Sequence, residues 1–415
     1  MKSLIVGIIK NCMANVFVST FLYLATLALD LVIGLPTRIS AKLRGTIQFL
    51  DIYGKNAEII RVKIVDSDNW LRRNAFLFPL IISGKISLVG ISLRRVDDED
   101  LPRDLYPYKP GLISLYFIRM SSRLAESYAL DCDREYIRTR KPFTDIGLLM
   151  QAMIALILHQ SKQSHENQLD IFGIKMLNLT MKDAISMLER RIDGKIYSPA
   201  YFVNADCLNK VLVDKDYLDI LKNNEIVFPD GSGVNLAAKM LGSYLKENVN
   251  GTDMLPHLCE LAQARGYRIF LLGAAEGVAK AMSERLLDTY PQLNICGFRN
   301  GYFDWDNEAE SVINEINLAQ ADILLIAFGA PLQEKFIHRF GEMIHAPLQM
   351  GVGGLFDFYS GRITRAPIWM RQTGLEWVFR LIQEPGRMWR RYILGNPLFV
   401  FRVYRWNKNG RKQIF

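Results

Sequence analysis

Hydrophobic positions run almost unbroken from residue 12 to 35, after a shorter apolar lead-in that Lys10 interrupts. Asn11 to Leu29 carries no charge, about the 20 residues that a membrane-crossing helix needs. The run is too long for a cleaved signal peptide, and no small-residue cleavage site follows it. Asp30 sits inside it and Pro36 follows. Positive charge flanks both ends, with Lys2 and Lys10 before it and Arg38, Lys42 and Arg44 after it. A simple span has asymmetric flanks, so the symmetry leaves room for a helix that dips in and returns to the same face. The bland reading is a buried hairpin in a soluble core; membrane attachment is the expectation.

A second apolar run, near Ile146–Leu158, is too short to span and reads as a core or interfacial helix. The polar stretch Gln160–Gln168 reads as a linker. From Leu169 the texture changes to short apolar strands alternating with amphipathic helices. Tyr267–Leu272 predicts a strand, Gly273–Gly277 a turn and Val278–Thr289 a helix. Asp322–Phe328, Gly329–Pro331 and Gln333–Phe340 repeat that order, and Leu348–Val352 predicts a third strand. Strand, glycine turn and helix in repetition predict an α/β fold with a parallel sheet covered on both faces. Ligands of such sheets sit at the C-terminal strand ends, where these glycine turns fall.

Charge changes the picture once it is located. Of the 415 residues, half are hydrophobic and the net charge is +8. Residues 361–415 hold ten Arg and two Lys against Glu376 and Glu384, a net of +10, so the preceding 360 residues sum to −2. Four of six tryptophans (Trp369, Trp377, Trp389, Trp406) lie in that segment. A basic, tryptophan-rich end suits an anionic surface such as phospholipid or a phosphorylated substrate. Nucleic acid is disfavoured, because the rest of the chain is slightly acidic and has no binding motif. The composition excludes disorder and disulfide scaffolds. Five cysteines, with no CxxC pair, read as reduced small hydrophobic residues.

Several turns carry candidate chemistry. Pro229-Asp230-Gly231 puts a carboxylate at a strand end, where a general base would have to be; a plain turn aspartate is the alternative. Gly273-Ala-Ala-Glu-Gly277 can present backbone N–H groups to phosphate, or simply let helix and strand pack closely. It is not GxGxxG, which disfavours a nicotinamide enzyme. Gly329-Ala-Pro331-Leu-Gln333-Glu334 can grip a ligand through its amides and Gln333, with Glu334 equally a charge at a helix N-terminus. Gly351-Val-Gly353-Gly354 is a third glycine turn. The five histidines show no ligand spacing. Asp304-Trp-Asp306 has the DxD form of some metal-dependent transferases but reads better as a solvated loop.

Together these stretches resemble the WecG/TagA/CpsF glycosyltransferase family (glycosyltransferase family 26) over about Ile171 to Trp406. The likeness rests on Asn204-Ala-Asp206, Pro229-Asp-Gly231, Gly251-Thr-Asp253, Leu272-Gly273, Gly297, Gly301-Tyr-Phe303, Gly329-Ala-Pro-Leu-Gln-Glu334, Gly353-Gly-Leu-Phe-Asp357, Arg365-Ala-Pro367, Gly374-Leu-Glu-Trp377, Arg380-Leu and Glu384-Pro-Gly-Arg387, in that order. The resemblance implies a Rossmann-like domain with a basic helical C-terminal appendage, placed at 169–360 and 361–415. It implies an inverting transfer of a hexose or N-acetylhexosamine from a UDP-sugar donor to a polyprenyl-diphosphate-linked acceptor. Asp230 matches the proposed base. Asn204, Gly231, Gly273, Gly329 and Gln333 match substrate-binding positions. Arg380, Arg387 and Arg390 match appendage arginines that steady diphosphate charge, so no metal cofactor is expected. A family threonine is Phe202 here, and a family arginine is Asn248; both bear on donor identity. The wording from Asn204 to Asn209 is more like the exopolysaccharide glucosyltransferase branch than the N-acetylmannosaminyl enzymes.

Residues 1–160 have a separate likeness. Gly84-Lys-Ile-Ser-Leu-Val-Gly90, Lys109-Pro-Gly111, and Asp133-Arg-Glu-Tyr136 with Asp145 resemble bacterial sugar transferases that put a sugar 1-phosphate on polyprenyl phosphate. That family opens with a re-entrant helix and uses an Asp-Glu pair. Here no acidic residue occurs between Asp68 and Asp97, and its Pro-Arg-Pro is Ile91-Ser92-Leu93. The expectation is a membrane-associated, inactive relative at 1–160, joined by a linker at 161–168. It leads to an enzyme on the cytoplasmic face of a bacterial inner membrane, in contact with other polysaccharide-assembly enzymes. The alternatives are a bifunctional enzyme and a non-catalytic scaffold.

Overall fold

The computed structural model describes residues 20–44, 47–67, 70–97, 100–122, 128–141, 143–158, 166–367, 370–371 and 374–410. The expectations for residues 1–19, His159, the linker residues 161–165 and Trp369 fall outside them. The chain divides into two compact units, residues 1–162 with 371–373, and 163–370 with 374–415.

In the first unit, Thr20–Ala41 is long and apolar enough to cross a membrane, judged by length and composition alone. Its apolar side chains Leu24, Leu31, Val32 and Ile39 are exposed. A π-helical turn spans Asp30–Gly34, and Asp30 is ion-paired with Arg38, whose guanidinium also donates to Ala75 O (2.8 Å). An antiparallel pair (Ile47–Tyr53, Ile59–Val65) and a short parallel pair (Ser87–Val89, Gly111–Ile113) follow. The motif residues of this unit act inside it. Buried Asp133 accepts from Ser92 N (2.7 Å), Ser92 Oγ (2.8 Å) and Arg94 Nη2 (2.8 Å), and Tyr136 Oη donates to Asp145 (2.7 Å).

The second unit is a six-stranded, all-parallel sheet: β1 (Ser198–Val203), β2 (Ile226–Pro229), β3 (Arg268–Gly273), β4 (Asn294–Arg299), β5 (Ile323–Ala327) and β6 (Leu348–Gly351), in the order β4-β3-β5-β6-β1-β2. Its inner strands β1, β3 and β5 are apolar on both faces, and the period of two sorts their residues. Tyr201, Val203, Phe270, Leu272, Leu324 and Ile326 enter one core, while Ala200, Phe202, Ile269, Leu271, Ile323 and Leu325 enter the other. Pro229 ends β2, an edge strand, where its missing N–H costs the ladder little. The hairpin Gln168–Ile171/Ile174–Leu177 precedes the sheet and begins within the stretch read as linker.

The C-terminal segment belongs to this unit. After Glu376–Gln383, a helical rod runs through Pro385–Trp389, a π-helical turn at Arg390–Leu394 and Gly395–Lys408. Phe399, Val403 and Trp406, spaced about one turn apart, are buried in the first core beside Phe172. Trp406, grouped by sequence with residues suited to an anionic surface, is therefore a core anchor.

Candidate active site

The C-terminal ends of β1, β2, β5 and β6 open into a cleft of about 610 Å³. It brings together Asn204, Asp230, Gly329, Gln333, Arg380, Arg387 and Arg390, with Asp206 of the Asn204-Ala-Asp206 stretch and with Lys210 and Arg391, which sequence reasoning had not singled out. Spacing was the missed signal for Arg391: positions 387, 390, 391 and 394 share one helix face.

Asp230 leaves β2 with its N–H bound to Val203 O (2.9 Å) and its backbone extended, ahead of helix α2 (Gly231–Met240). Its carboxylate caps no helix amide and faces the cleft half-buried. Burial, with Glu376 adding like charge, raises its pKa to about 6; Arg391 and a hydrogen bond from Asn204 oppose the rise. Asn204 Oδ1 accepts from Asp206 N (3.1 Å) and Cys207 N (3.2 Å), capping α1 (Ala205–Lys210). With the oxygen so used, the amide nitrogen is what remains for Asp230.

Gly231 takes φ +86°, and its N–H donates to Asn248 Oδ1 (3.1 Å), so it orients the turn beside Asp230 and is not among the cleft-lining residues. Gly273, expected at the substrate, is not among the residues that line this cleft. A Cβ there would come within 2.7 Å of Ala327 backbone atoms, so this glycine serves strand packing.

Gln333, in helix α3 (Leu332–Phe340), is 3% exposed. Its Oε1 accepts from Gly329 N (3.1 Å) and Gly353 N (2.9 Å), tying together the turns that follow β5 and β6. Lys210 Nζ holds the first turn from the other side by donating to Ala330 O (2.8 Å), and pairs with Asp206 (2.9 Å).

Across the cleft, Arg380 stacks over Phe358 (5.0 Å to the ring centre), and Gly354 leaves room for its guanidinium. Arg387 pairs with Glu384 (3.1 Å), Arg390 lies over Trp389 (5.4 Å), and Arg391 approaches Asp206 (3.6 Å). Ser232 Oγ donates to Gly374 O (3.2 Å), tying the first turn after Asp230 to the C-terminal segment. Four guanidiniums lining one cleft with the carboxylates of Asp206 and Asp230 suit a polyanionic substrate that must also lose a proton.

Asp304 spends its carboxylate on Asp306 N (2.9 Å) and Asn307 Nδ2 (2.6 Å), and Asp306 pairs with Arg339 (2.8 Å). Both lie outside the cleft, and among the described residues no three His, Cys, Asp or Glu side chains converge as a metal site needs. Phe202 stacks on Phe228 (5.4 Å) and lies against Gly251, so the two positions that depart from the family pattern are an apolar wall and the Asn248 acceptor.

Three similar proteins bear the name N-acetylglucosaminyldiphosphoundecaprenol N-acetyl-beta-D-mannosaminyltransferase. The protein of Bacillus subtilis (strain 168) is 34% identical over 242 residues, 58% of this chain and 93% of its own. That of Bacillus spizizenii is 32% identical over 196 residues, 47% of this chain and 74% of its own. That of Staphylococcus aureus (strain MW2) is 24% identical over 253 residues, 60% of this chain and 98% of its own. The family described as glycosyl transferase WecG/TagA/CpsF matches residues 169–413, which spans the sheet, the cleft and the arginine-bearing rod. The chain belongs to the WecG/TagA/CpsF glycosyltransferase family.

Proposed function

We propose that this glycosyltransferase moves a sugar, with inversion, from a UDP-sugar to a sugar carried on polyprenyl diphosphate, at the cytoplasmic face of a membrane. Asp230 takes the proton of the acceptor hydroxyl as its oxygen bonds to the donor's anomeric carbon. The bond from that carbon to UDP breaks, and the diphosphate leaves with the electron pair. Arg380, Arg387, Arg390 and Arg391 meet its developing charge. The observation that carries this reading is Asp230 lining one cleft with four arginines, and burial that pushes its carboxyl up agrees with it.

Membrane contact is supported by the exposed apolar residues Ile382, Trp389, Ile393, Phe401 and Tyr404, which alternate with arginines on the C-terminal helices. The apolar helix of the first unit gives a second contact, and that unit serves as an inactive attachment. UDP-N-acetylmannosamine, from the relatives' name, and UDP-glucose, from the wording of residues 204–209, are the first donors to try on lipid-linked N-acetylglucosamine. The test is transfer by the full chain in detergent, with and without EDTA. The wild type is expected to release UDP with one of these donors despite chelation. Asp230→Asn should lower turnover by about a thousandfold or more while the protein stays folded. An active Asp230→Asn variant removes Asp230 as the base.

A further inference from the structure

Beside the cleft lies a carboxylate that the transfer chemistry leaves unused. Glu334, in the first turn of α3, is fully buried. Its Oε1 accepts from Gln333 Nε2 (3.0 Å), and its Oε2, also buried, has no hydrogen-bond partner. The polar groups near it are Lys210 and Cys207 of α1, Tyr217 of the helix Lys215–Lys222, and Tyr201 of β1. Lys210 gives it charge at a distance, since its ammonium is held by Ala330 O and Asp206. Burial pushes the carboxyl up to about 7 against Gln333, its own backbone N–H and Lys210. A buried carboxyl with one oxygen unpartnered costs stability, so packing is a poor reason for an acid here.

The amide of Gln333 supplies a better reason. Its Oε1 must accept from two backbone N–H groups at once. The same amide turned by half a revolution would set its own donors against those donors. An acceptor beside Nε2 selects the working orientation, and Glu334 is that acceptor. We propose that Glu334 is a positioning residue for the transfer: by accepting from Gln333 Nε2, it fixes the amide that holds the Gly329 and Gly353 turns together at the cleft floor. This rests on the transferase reading above.

The test uses the full chain with Glu334→Leu, Glu334→Gln, Gln333→Leu and the double variant E334L/Q333L. Each is measured for melting temperature, for transfer, and for amide hydrogen exchange in peptides carrying Gly329 and Gly353. Glu334→Leu is expected to melt no lower than wild type, because it removes a buried acid with one oxygen unpartnered. It should nonetheless exchange faster at both turns and lose about tenfold or more in kcat/KM. Glu334→Gln, which keeps an acceptor oxygen, should recover transfer to within about threefold of wild type. In the double variant the loss should equal that of Gln333→Leu alone, since Glu334 acts through Gln333. Losses that multiply, a Glu334→Gln variant as poor as Glu334→Leu, or a fully active Glu334→Leu each overturn the proposal. A wild type that transfers no sugar sinks the transferase reading instead. Exchange then decides for Glu334 alone: faster at both turns in Glu334→Leu if it holds them, unchanged if it does not.

Discussion

At the scale of single residues, Asp230 is tuned by two side chains of opposite sign from the C-terminal segment. Glu376 pushes its pKa up and Arg391 pulls it down, with burial the largest influence. A base works only when ionised, so kcat/KM should fall as pH drops through about 6. Arg391→Gln should move that acid limb upward and Glu376→Gln downward, each by roughly half a pH unit to one unit. A pH–rate profile of the three proteins checks it; shifts of the same sign would remove these residues as tuners. The stability consequence has a definite sign. Because the folded pKa lies above the unfolded value of about 3.9, the folded protein holds the proton longer. Asp230 therefore favours folding most at low pH, and that contribution drains away as pH rises from about 4 to about 6. The sequence pointed to Asp230 because a carboxylate after a strand and before a glycine is exposed by geometry. It could not give Asn204 its double duty as cap and partner of Asp230, because the two meet only through the pairing of adjacent strands.

At the scale of elements, the strand–turn–helix rhythm was readable because its cause is local. The helix Val278–Thr289 begins and ends where its periodicity says, and β5 and β6 fall inside their predicted runs. The π-helical turn at Arg390–Leu394 was not readable, since no residue pattern there demands a wider turn. Gly273 shows the other limit. A glycine that ends a strand can admit phosphate or admit a neighbouring strand, and only the tertiary neighbour decides. Here the neighbour is Ala327, and φ is +137°. Gly273→Ala is thus expected to cost on the order of 2 to 4 kcal/mol of stability through backbone strain and overlap. Its KM for the donor should stay close to wild type. Denaturant unfolding beside steady-state kinetics separates this from a phosphate-binding glycine, whose loss would raise KM with little change in stability.

At the scale of the molecule, the charge map and the folding map disagree, and the disagreement is informative. By composition the last 55 residues stand apart, with +10 of charge. By contacts, residues 374–415 belong to the same compact unit as the sheet. The reason is an amphipathic division along one rod. Phe399, Val403 and Trp406 fill the core with Phe172, while Phe401 and Tyr404 face outward and the arginines line the cleft. Sequence shows the arginines at once, but cannot show which aromatic residues of a basic helix turn inward. Removing residues 374–415 should therefore do more than strip four arginines from the cleft. It uncovers Phe172 and the faces of α1 and α2 against which the rod packs, and the loss of Trp406 alone is worth about 3 to 5 kcal/mol. The truncated protein should lose cooperative thermal unfolding and aggregate, as followed by circular dichroism and light scattering. A detachable appendage predicts the opposite outcome: a folded, monodisperse remainder that has lost only transfer and binding to anionic vesicles. Trp406→Ala in the otherwise complete chain tells the two apart without truncation. It leaves every cleft arginine in place, so a steep fall in melting temperature assigns the rod to the fold.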